Sequence, residues 1–167
     1  RKVRRATCAA SGDNNYTLFV NERRTRDGAD FKTAAAFEFT DRLRPGKNVI
    51  AVQVTNVGDA PNPAGFLAVV KIEFESGPAM RLVTDGTWLA YNKGSGDWMN
   101  LGRDTGDWKP AQVVAPYGAG PWRTINISST TLFLPPAQFL RKAFSVAKPL
   151  RRAVLYASAL GNYQAHI

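Results

Sequence analysis

In residues 48–55 apolar and polar side chains alternate: Ile50, Val52 and Val54 share one face, and Val49, Ala51, Gln53 and Thr55 the other. That is the pattern of a strand with one face turned into a core. Residues 16–20, 36–40 and 66–74 are also short and rich in β-branched and aromatic side chains, and predict three more strands. Residues 5–10, around Cys8, read as a strand of small residues. Turn chemistry bounds these runs at 11–14, 44–47, 58–63 and 76–78, where Gly, Pro, Asn and Asp gather. Only Asp41-Arg42-Leu43 suggests helix, and then one turn. Many short strands at this spacing predict an all-β fold, a jelly roll or β-sandwich.

Between Thr84 and Trp122 the β-periodicity fades and Gly, Asp, Asn and Trp take over. A long loop region inside a compact domain is usually functional or disordered, and Trp88, Trp98, Trp108 and Trp122 argue for order. A repeat sets the domain plan. Residues 1–20 align without gaps on 148–167, with Arg4, Arg5, Ala6, Ala10, Ser11, Asn15 and Tyr16 matched by Arg151, Arg152, Ala153, Ala157, Ser158, Asn162 and Tyr163. The offset is the length of one domain. We therefore expect a β-sandwich over 1–134, its first strand missing, and the opening strands of a second, related β-domain over 135–167. The termini read as cuts through domains. A strand expected at 139–146 is of the type that could complete the first sandwich, in its own chain or by exchange in a homodimer.

Two stretches resemble a known family. Asn15-Tyr16-Thr17-Leu18-Phe19-Val20-Asn21, followed by residues 39–52 and Thr55-Asn56, is similar to the galactose-binding-like jelly roll of many glycoside hydrolases. Residues 139–144 and 148–163 resemble the entry into the N-terminal β-domain of bacterial α-L-rhamnosidases. The resemblance implies a galactose-binding-like β-sandwich from the accessory, non-catalytic part of such an enzyme, with secreted or periplasmic location. The family's catalytic barrel and its acidic residues have no counterpart in these residues. One departure is local: the family places Asn-Gly after the Tyr-containing strand, whereas Asn21-Glu22 stands here, so another turn is expected.

Composition narrows the chemistry. Apolar residues are 44% and charged residues 21%, a globular balance. No apolar run reaches the roughly 18–20 residues of a membrane span, so no membrane partner is expected. Cys8, the single cysteine, cannot form a disulfide within the chain and reads as a buried structural thiol. A net charge of +9 favours adhesion to polyanions, but the clusters at Arg1–Arg5, Arg23–Arg26 and 141–152 lack the interleaved aromatics of specific nucleic-acid recognition. The one histidine, His166, gives no basis for a nucleophilic triad. Glu73 and Glu75 read as solvated edge charges. Asp85, Asp97, Asp104 and Asp107 suit turns, a cation or sugar hydroxyls, and as paired carboxylates would make the alternative, a small hydrolase with its site in these loops.

Sugar binding fits the residue types of 84–122 better. A sugar ring offers an apolar C–H face and a belt of hydroxyls. Trp88, Tyr91, Trp98, Trp108 and Tyr117 supply aromatic faces, and Asn100, Arg103 and Asp107 supply polar partners. The same tryptophans could simply staple the loops to the sandwich. The expected ligand is a rhamnose-containing glycan, with no cofactor. A Ca²⁺ site drawn from Asp13, Asn14, Asp27 and Asp30 is weaker, because turn chemistry explains those residues.

Overall fold

The computed structural model describes residues 1–59, 65–93, 96–119, 123–128 and 145. The second repeat copy and the strand expected at 139–146 lie outside the described residues, Ser145 apart, as does Trp122. All described strands belong to the unit Arg1–Leu134. They are β1 (Val3–Gly12), β2 (Asn15–Val20), β3 (Arg23–Gly28), β4 (Thr33–Glu38), β5 (Ile50–Thr55), β6 (Phe66–Phe74), β7 (Met80–Val83), β8 (Leu89–Ala90), β9 (Lys109–Pro110) and β10 (Asn126–Ser128). One sheet runs β10-β4-β1-β6-β7, a second β3-β2-β5, and β8 and β9 form a small ribbon. The fold is an all-β, galactose-binding-like jelly-roll sandwich.

Period-two alternation builds the core. Ala6, Cys8 and Ala10 of β1 cluster with Tyr16, Leu18 and Val20 of β2, with Phe37 and Phe39, and with Ala68 and Val70 of β6. Small side chains on the central strand leave volume for the large ones from its neighbours, which is how two pleated faces fill the space between sheets. Cys8 is 1% exposed, and burial pushes its thiol up to about 12. The structural-thiol expectation holds.

Several boundaries differ from the sequence pattern. The strand expected at 36–40 lies at Thr33–Glu38, and Thr40–Arg42 form a single 3-10 turn. Its successor begins at Ile50 because Asn48 is spent on the preceding turn. The Asn48 amide donates to the carbonyls of Arg44 (2.9 Å) and Gly46 (3.0 Å), and its Oδ1 accepts from Arg44 N–H (2.9 Å). Strands β3 and β7 carried no alternation to announce them.

The turn after β2 is a correction. Val20 pairs with Arg23, so Asn21 and Glu22 alone close the hairpin, and both have positive φ, 50° and 70°. That is the tight primed turn after all, with Glu22 in the left-handed position where the family has glycine. Asn21 is held there by its side chain. Nδ2 donates to Arg42 O (2.8 Å) and Asn48 Oδ1 (2.7 Å), and Oδ1 accepts from Val49 N–H (3.1 Å).

Candidate functional site

Beside the core, β5, β7 and residues of the 85–119 loops line an open cleft of about 1790 Å³. Ile50, Val52 and Val54 of β5 and Leu82 of β7 line its apolar wall. Met80, Leu82 and Val83 stay substantially exposed because β7, at the sheet margin, has no described strand beyond it.

Seven of the expected binding residues line this cleft: Trp88, Tyr91, Trp98, Asn100, Arg103, Trp108 and Tyr117. Asp107 does not line it but holds two that do. It accepts from Arg103 (3.3 Å) and hydrogen-bonds the Tyr91 hydroxyl, whose pKa is raised by desolvation and by that carboxylate. Asp97 lies 3.8 Å from Arg103 Nε. The turns 97–100 and 105–108, closed by Asn100 N–H to Asp97 O and Trp108 N–H to Thr105 O, bring these groups together.

Most aromatic faces in the cleft are already in use. Tyr91 and Trp108 stack on each other at 5.4 Å with 14° between their planes. Trp98 meets Phe19 edge-on at 5.4 Å, and Trp88 tilts over Phe66 while its indole N–H donates to Val83 O (2.9 Å). Trp88 and Trp98 staple the loops to the sandwich, while Trp108 and Tyr91 hold one loop segment to another. Tyr117, at 64% exposure, stacks on no other ring among the described residues. Two donors in the cluster, Arg103 Nε and Trp108 Nε1, are buried without a hydrogen-bond acceptor among the described residues.

The acidic residues divide by partner. Asp85 accepts from the Thr87 N–H and hydroxyl, which hold its carboxyl below the usual range, the opposite of what a general acid needs. Asp104 accepts from Gly106 N–H (2.9 Å), which is turn chemistry. Glu73, read as a solvated edge charge, lies opposite Arg5 of β1, one residue beyond the β6–β7 pairing, and pairs with Lys71 (2.9 Å) and Arg4 (3.4 Å). Glu75 pairs with Lys2 at 2.6 Å.

The calcium candidates are not assembled as a set. Among the described residues no three Asp, Glu, His or Cys side chains gather to hold a metal. Asp27 is engaged by Arg24 and Thr17, Asp30 by Lys32 N–H, and Asn14 Oδ1 by Val57 N–H. Asp13 lies in the β1–β2 turn at 9% exposure, where its backbone N–H donates to Gly65 O (3.0 Å).

No protein-family model matches the chain. An α-L-rhamnosidase of Streptomyces avermitilis is 32% identical over 171 residues, which cover 97% of this chain and 16% of that protein's length. The chain is homologous to one stretch of an α-L-rhamnosidase. The crystal structure of the Streptomyces avermitilis α-L-rhamnosidase complexed with L-rhamnose matches this rhamnosidase-like sandwich with a TM-score of 0.66 and 28% identity, covering 75% of this chain and 13% of that one. The lectin of Pleurotus ostreatus, solved apo and in complex with GalNAc, matches with a TM-score of 0.68 and 28% identity, covering 74% of this chain and 35% of that one. The rhamnosidase-like sandwich thus shares its architecture with a lectin as well as with a glycosidase.

Proposed function

We propose that the chain is a carbohydrate-binding accessory module of an α-L-rhamnosidase-like glycoside hydrolase, acting outside the cytoplasm on rhamnose-containing glycans. The observation that carries this is the double likeness, to a lectin solved with GalNAc and to a rhamnosidase solved with L-rhamnose. The cleft lends support: Arg103 and Asn100 offer donors for ring hydroxyls, and Tyr117 offers an uncovered face.

Titration of the full chain with L-rhamnose, followed by calorimetry and by tryptophan fluorescence, tests the proposal. Binding lost in Arg103→Ala or Trp108→Ala places the sugar in the cleft. Binding kept in both places it elsewhere on the sandwich. No heat and no fluorescence change at millimolar rhamnose or rhamnosyl oligosaccharide would sink the proposal.

A further inference from the structure

Six cationic side chains line the cleft, those of Arg1, Lys2, Arg44, Arg81, Arg103 and Arg123, against a single described carboxylate, Asp85. Three of the six are engaged locally. Lys2 pairs with Glu75, Arg103 with Asp97 and Asp107, and Arg1 lies over the Phe74 ring at 5.7 Å. Arg44, Arg81 and Arg123 are exposed and have no carboxylate partner among the described residues. The chain as a whole carries +9, so nothing distant cancels this local excess. Cations left unneutralised along a low-dielectric wall focus the potential and concentrate anions there.

We infer that the glycan drawn into this cleft is an acidic polysaccharide, with uronate carboxylates paired to Arg44, Arg81 and Arg123. The inference rests on the sandwich being a sugar-binding module and names the class of sugar. Guanidinium groups match carboxylates in bidentate geometry. The apolar wall of Ile50, Val52, Val54 and Leu82 suits the C–H faces of pyranose rings. Single-stranded nucleic acid would need a row of free aromatic faces for its bases. Here Tyr91, Trp108, Trp98 and Trp88 have committed theirs to one another or to Phe19 and Phe66.

The test is calorimetric titration of the full chain with polygalacturonate, with the same polymer after carboxyl reduction, and with single-stranded DNA of matched charge. Polygalacturonate should bind about tenfold or more tightly than the reduced polymer, an affinity that falls with added salt. The triple variant Arg44→Ala/Arg81→Ala/Arg123→Ala should lose about tenfold or more. Arg23→Ala/Lys93→Ala/Lys109→Ala removes equal charge from exposed positions outside the cleft and should stay within about twofold. Equal losses in both variants would mean diffuse charge and overturn the inference. So would DNA binding as tightly as polygalacturonate with the same dependence on the cleft arginines. If the reduced polymer binds as well as its parent, the acidic preference is wrong while the sugar-binding function stands, which the L-rhamnose titration reads separately.

Discussion

The ring of Tyr16 lies where two glycines leave room for it. A Cβ built on Gly28 would fall 2.2 Å from the ring's Cε1, and one on Gly12 would fall 2.9 Å from Cδ1. The ring also meets Phe66 edge-on at 5.3 Å, and its hydroxyl donates to Ala10 O at 3.2 Å. The side chain is therefore fixed at both ends and cannot step aside cheaply. Gly28→Ala should destabilise the fold by about 1–3 kcal/mol, the usual range for overpacking. Gly102→Ala, where nothing lies within 4 Å, should stay within about 0.5 kcal/mol. Urea unfolding of the two variants compares them directly, and equal midpoints would refute the crowding. The sequence pattern places Gly12 in a turn and gives Gly28 no role. That Gly28 closes a strand against an aromatic ring depends on a cross-strand register no local pattern records.

At the scale of elements, legibility followed alternation. Strands β2, β5 and β6 were visible because each sends a face to the core. Strand β3 holds Arg23, Arg24 and Arg26 and packs no residue in the core cluster, so its backbone pairing with β2 defines it. The hairpin joining these two strands was misjudged for a related reason. Turn type follows from the two-residue spacing set by pairing, and Glu22 is carried into left-handed space although its side chain resists it. A non-glycine residue there costs about 1 kcal/mol or more, partly offset by glycine's greater freedom in the unfolded chain. Glu22→Gly should therefore stabilise the protein by about 0.5–1 kcal/mol. A lowered melting temperature for that variant would show that Glu22 makes compensating contacts.

For the whole molecule, burial ties stability to alkaline pH. Desolvation raises the Cys8 thiol from 9.0 and the Tyr16 hydroxyl from 10.0, each to about 12. Unfolding frees both groups to ionise at their ordinary values. Their contribution is complete below about pH 9 and is lost as pH rises towards 12. Denaturant midpoints should be level near neutrality and fall from about pH 9 upwards, with a shallower fall in Cys8→Ala. A midpoint that rises over that interval would contradict the buried placement of both groups. In the folded chain near neutral pH, a thiol reagent should leave Cys8 unmodified. The site was less legible than the fold. Residue types near Arg103 suggested sugar chemistry, but the excess of cations was visible only as a net charge. Arg44, Arg81 and Arg123 come from three separate turns or strands, and only the folded chain sets them around one cleft.

Strand β3 also bears on how the sandwich can grow. Two copies meeting edge to edge along it would set arginine against arginine, a repulsion that strengthens as salt is withdrawn. Among the described residues, the margins at β5 and β7 carry Val54, Met80, Leu82 and Val83 instead. Strand addition to this domain is therefore directional: the β3 rim repels newcomers, while those at β5 and β7 offer apolar side chains.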